Sequence, residues 1–180
     1  MQKITCLLIL TSFLLSGCVR IPLEDFNLEH TNVQPFGRSI NGQLYSVSMG
    51  YNLPAKGLEF NENFRVPILW KESVLESLNE SGAFKDASAN LIDVIIMVNY
   101  AELPESGGDM FTGIEATYSV IERASTKELF MTTIRTEVTI PLSFAFSGMT
   151  RAKESTNRAV TQNIGEFIQH LREYTAGKRL

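Results

Sequence analysis

The segment "LIDVIIMVNY", residues 91–100, constrains the fold more than any other stretch of this 180-residue chain. It is dense in Ile and Val, has neither proline nor glycine, and offers apolar side chains at both odd and even positions. Such a run fits a central β-strand covered on two sides. Its flanks show other periods. Tyr45, Val47, Met49 and Tyr51 alternate with Ser46, Ser48 and Gly50, which predicts a strand with one apolar face. Pro67 suits a first helical turn, Ile68, Val74, Leu75 and Leu78 form a stripe, and Gly82 supplies the stop. Residues 114–122 and 129–138 read as two strands joined around Ser125, Thr126 and Lys127. A last helix is expected from Thr150 to Tyr174, with Ala152, Ala159, Val160, Ile164, Phe167, Ile168 and Leu171 on its apolar side. The order β-α-β-β-β-α predicts an α+β fold: a mainly antiparallel four-stranded sheet with two helices on one face. Ile95, Ile164 and Phe167 are expected in its core.

The N-terminus follows a different grammar. Lys3 precedes an apolar run, Ile4 to Leu14, that is too short to span a bilayer, and Ser16 and Gly17 then lead into Cys18. The ending Leu15-Ser16-Gly17-Cys18 closely resembles the lipobox of bacterial lipoproteins. That resemblance implies a signal peptide over residues 1–17 and a lipid-modified Cys18 at the mature N-terminus. Cys6 leaves with the signal, so no internal disulfide can form and stability must come from a packed core. Val19 stands where enterobacterial inner-membrane lipoproteins carry aspartate, which by the same resemblance implies an outer-membrane address facing the periplasm. Residues 18–43, punctuated by Pro22, Pro35, Gly37 and Gly42, read as the lipidated cysteine and a flexible tether, and 44–176 as one folded domain.

No reaction chemistry stands out. The two histidines are His30, in the tether, and His170, near the end of the last helix, where a cationic side chain is favourable. No HExxH, paired-cysteine, G-x-S-x-G or Walker pattern occurs. Glu102, Glu105 and Asp109 lack the oxygen-ligand spacing of a calcium loop. Asp93, within the apolar strand, calls for a hydrogen-bonding partner. No cofactor and no enzymatic activity are expected, and a net charge of −4 gives no reason to expect nucleic acid.

One stretch resists a bland reading. "IPLSFAFSGMTR", from Ile140, places Leu142, Phe144, Phe146 and Met149 in a connection that should be polar. Either the phenylalanines fold back to plug the core, or they form an exposed lip for a partner or an acyl chain. Arg151 and the start of the last helix could receive an anion beside it. Arg151, Glu154 and Arg158 share a spacing that predicts an ion-paired surface ladder.

In element order, and in phrases such as "ESLNESGAF" and "RAKESTNRAVTQNIGEFIQHL", the body resembles small envelope lipoproteins with a unit related to the N-terminal domain of TolB, of the LpoB, CsgG and YajG type. The resemblance implies accessory work in an envelope assembly through a protein partner. A carrier or sensor of an envelope lipid or glycan fragment is the alternative. An internal cavity would favour the carrier, and a closed core with an apolar external patch the accessory.

Overall fold

A computed structural model describes residues 35–37, 39–52, 65–105 and 107–177. Strand β1 (Gln43–Tyr51) is followed by helix α1 (Arg65–Ser81), strands β2 (Leu91–Glu102), β3 (Met110–Glu122) and β4 (Lys127–Ile140), and helix α2 (Gly148–Thr175). The element order is the expected one and the fold is α+β. The strands lie in sequence order, with β1–β2 parallel and β2–β3 and β3–β4 antiparallel. The sheet is therefore mixed. The chain crosses from β1 through α1 before β2 begins, so it re-enters the sheet running the same way.

Alternation in β2 is strict. Ile92, Val94, Ile96 and Val98 are fully buried, while Asp93, Ile95 and Met97 are half-buried. Among the described residues the second covering layer expected over this strand is therefore not found, and Ile95 lies outside the main core. Small neighbours make an open apolar face tolerable. Ser48 and Ser119 flank Ile95 in register, and the Met97 side chain lies over Gly50, where an added Cβ would sit 3.0 Å from its Cε. The rings of Tyr100 and Phe111 likewise cover Gly113.

Two local irregularities redirect side chains. A register shift between Leu44 and Ser46 puts Leu44 with Val47, Met49 and Tyr51 against the core and turns Tyr45 outward. The Arg123 guanidinium stacks 4.0 Å from the Tyr45 ring centre. In α1 the buried stripe is Val66, Trp70, Val74, Leu78 and Ser81, whereas Ile68 and Leu75 point to solvent. Gly82, at φ +62°, ends this helix as expected. The hairpin between β3 and β4 turns through Thr126, at φ +57°.

All seven apolar positions expected on α2 are buried. Three uncharged polar residues, Ser155, Thr156 and Asn163, are buried with them, and each has partners. Thr112 Oγ1 lies 2.8 Å from Ser155 Oγ, and Thr156 donates to the Ala152 carbonyl. Trp70 Nε1 donates to Tyr118 Oη (2.9 Å), which donates to Asn163 Oδ1 (2.8 Å), and Asn163 Nδ2 donates to the Ile134 carbonyl (3.2 Å). This chain ties α1 to the sheet and the sheet to α2. Burial pushes the Tyr118 hydroxyl far above the ordinary tyrosine range.

The register gives the domain two poles. At one, the chain enters: Phe36 N–H donates to the Ser81 carbonyl and Ile40 N–H to the Ala83 carbonyl, both at 2.8 Å. Ile40 is buried, so ordered packing begins upstream of residue 44. The ends of α1 and α2 and the β3–β4 hairpin share this pole. The opposite pole carries the end of β2, the start of β3 and the connection from β4 to α2.

Candidate functional site

The β4–α2 connection is built from its first residue. Ile140 is buried, and Pro141, which has no N–H to donate, ends the ladder. Leu142–Phe144 then form one 3-10 turn, closed by Phe144 N–H donating to the Pro141 carbonyl at 3.0 Å. Ser147 caps α2, its Oγ accepting from the Thr150 N–H.

None of the residues of this turn is buried. Leu142 is 57% exposed, Phe144 46%, Phe146 fully exposed and Met149 38%. The plug reading is thereby excluded. Where it expected Phe144 and Phe146, this end of the core holds Met110 and Ile140. A fully exposed phenylalanine gives up about 1.5–3 kcal/mol of burial energy. The four side chains form an apolar lip.

Polar bonds fix the lip from both sides. Asp109 Oδ1 accepts from the Leu142 N–H at 2.9 Å. Arg151 Nη1 donates to the carbonyls of Ala145 (2.5 Å) and Phe146 (3.0 Å), and Nη2 to that of Gly107 (3.2 Å). The surface ladder expected for Arg151 is therefore corrected, because only 3% of this residue is exposed. Arg158 and Glu154 do pair, at 2.7 Å, and the Arg158 guanidinium lies 5.4 Å from the Phe144 ring centre.

Periodicity does not show the inward turn of Arg151, because its spacing to Glu154 and Arg158 is that of an ion-paired surface face. The available signal was Gly107-Gly108-Asp109, a loop able to bring a carbonyl and a carboxylate close to a neighbouring connection.

Asp93, His170 and Glu102 have structural partners. Asp93 accepts from Ser46 Oγ (2.6 Å) and from Arg123 (3.1 Å). His170 Nδ1 lies 3.0 Å from Thr132 Oγ1. Glu102 accepts from the Tyr100 hydroxyl, which raises the tyrosine pKa. Among the described residues, no group of three or more His, Cys, Asp or Glu side chains could hold a metal ion, and no helix is long and apolar enough to cross a membrane. Cys18 and His30 lie outside the described residues.

Two grooves open at the chain-entry pole. The larger, about 560 Å³, is lined by residues that include Ile40, Asn41, Asn90, Glu122, Leu129 and Tyr174. The smaller, about 260 Å³, lies beside Leu44, Leu78 and Phe84. Neither is next to the lip.

No family model matches the sequence, and no curated protein matches it. Solved structures do. Protein XCC0632 of Xanthomonas campestris, of the DUF330 family, matches with a TM-score of 0.52 at 13% identity, over 82% of this chain and 95% of that one. A minor lipoprotein of Acinetobacter baumannii matches at 0.35 and 12% identity, over 76% and 96%. Lipoprotein GNA1162 of Neisseria meningitidis matches at 0.39 and 10% identity, over 74% and 99%. The chain shares its fold with XCC0632.

Proposed function

We propose that this chain is a non-enzymatic lipoprotein, anchored through Cys18 in the outer membrane and facing the periplasm, that binds a protein partner of an envelope assembly through its lip. The observation that carries the reading is the exposure of Leu142, Phe144, Phe146 and Met149 on a connection held by Asp109 and Arg151. An apolar surface kept in place before contact loses little conformational entropy on binding. Buried aromatic anchors are the residue class that dominates interface energies. Among the described residues the apolar faces of helices and sheet meet in one buried cluster, and the two grooves described open at the other pole, which supports the accessory over the carrier.

The test is crosslinking in intact cells from a photoreactive residue at 149. Phe144→Ser with Phe146→Ser should abolish a specific adduct while circular dichroism stays unchanged. An undiminished adduct refutes the lip as the working surface. The anchor is tested separately: Cys18→Ser should abolish palmitate labelling, and retained label in the outer-membrane fraction refutes the lipobox reading.

A further inference from the structure

Arg151 is a buried permanent charge with no ion-pair partner among the described residues. Its acceptors are all neutral carbonyls, and its Nε, buried as well, has no hydrogen-bond partner. Buried charges normally sit opposite a charge. The location deepens the imbalance. Ala145 and Phe146 immediately precede the Ser147 cap, so the guanidinium lies against the positive end of a 28-residue helix. The first N–H groups of that helix have no acceptor within it.

The hydrogen bonds also divide the guanidinium in two. Nη1 is committed to the two lip carbonyls. Nε is free, and Nη2 holds only the longest of the three bonds, 3.2 Å to Gly107. Nε and Nη2 together form the side-on fork that matches the two oxygens of a carboxylate. A carboxylate offers this fork two parallel bonds and an opposite charge, where the Gly107 carbonyl accepts one bond at 3.2 Å, so a carboxylate should displace that carbonyl.

We propose that Arg151 and the first turn of α2 receive a carboxylate carried by an apolar segment of the partner protein, whose side chains lie on the lip. The proposal rests on the lip being the working surface and adds the chemistry of what docks there. A single local carboxylate fits better than an anionic membrane surface, which would also have to face the exposed Glu105 and Asp109 on the adjoining loop.

The test uses the full-length chain in lipid nanodiscs and isothermal titration with acetyl-Leu-Phe-Leu, as the free acid and as the amide. The acid should bind about tenfold more tightly than the amide. Arg151→Lys keeps the charge but removes the fork and should erase most of that preference, whereas Phe146→Ser should weaken both peptides alike. Equal affinities for acid and amide in the unmodified chain, or binding of neither, overturn the proposal without any variant having to fold. A preference that survives in Arg151→Lys overturns it too. Binding of sodium decanoate, lost in Arg151→Lys, with no binding of either peptide, overturns the protein partner in favour of a lipid-like anion. An acid preference that needs Arg151 but is indifferent to Phe146→Ser supports the anion site and refutes the lip.

Discussion

Phe167→Ala tests how α2 docks. The Phe167 ring is fully buried and stacks on Tyr118, with centroids 4.2 Å apart and planes 8° from parallel. An aromatic side chain buries at least ~150 Å², which at ~25 cal/mol per Å² is worth about 4 kcal/mol, and the alanine methyl recovers a small part. Losing the stacked pair adds about 0.5–1.5 kcal/mol. The expected cost is ~3–5 kcal/mol, the usual range for such truncations and a large share of a domain stability of ~5–15 kcal/mol. Trp70, the single tryptophan, is fully buried and reports unfolding by fluorescence. In urea, with a slope of ~2 kcal/mol/M, the midpoint of residues 19–180 should fall by about 2 M. A fall below about 0.5 M would show that this face of α2 does not carry the docking energy.

Two further outcomes can be checked on the same domain. Tyr118→Phe removes the hydroxyl that accepts from Trp70 and donates to Asn163, and should cost ~1–3 kcal/mol in the same urea assay; an unchanged midpoint would mean the buried chain of hydrogen bonds adds nothing. The Ser125 hydroxyl, and after it Asn90, hold the Glu122 carboxyl below the ordinary glutamate range. Its folded pKa is depressed, so its contribution is present above the unfolded pKa and is lost as pH falls through the folded one. Glu122→Gln should therefore flatten the decline of stability below about pH 4.3, and an identical pH profile would refute the assignment.

Much of the architecture was legible because burial leaves a period. The α2 stripe, the Gly82 stop and the element order all reflect side chains that must face one core. The sheet is mainly antiparallel as expected, but the parallel pairing of β1 with β2 was not legible, since alternation looks the same whichever way a strand runs. The outward Tyr45 follows from one irregular residue pair, which moves alternate side chains across the sheet without changing composition. Ile68 and Leu75 deceived for a related reason. Apolar residues lie on both sides of α1, and Trp70, large enough to dominate its packing, decides which side turns in. At the candidate site, the apolar character of Leu142, Phe144, Phe146 and Met149 could be read directly. Their exposure could not, because the sequence does not show that a loop 33 residues upstream supplies the Asp109 acceptor holding Leu142.

The two poles bear on how tightly anything must bind. The lip lies a full strand length from the point where the chain enters, and 14 residues of β4 extend about 45 Å. If Cys18 carries the proposed lipid, residues 19–34 can add at most about 55 Å between it and the domain. An anchored lip then samples a half-sphere of radius up to ~100 Å. One molecule in that volume is at an effective concentration on the order of 1 mM. For a partner held in the same membrane, a Kd of tens of micromolar would keep the site mostly occupied. Contact that looks feeble between free proteins in dilute solution is sufficient on a shared surface.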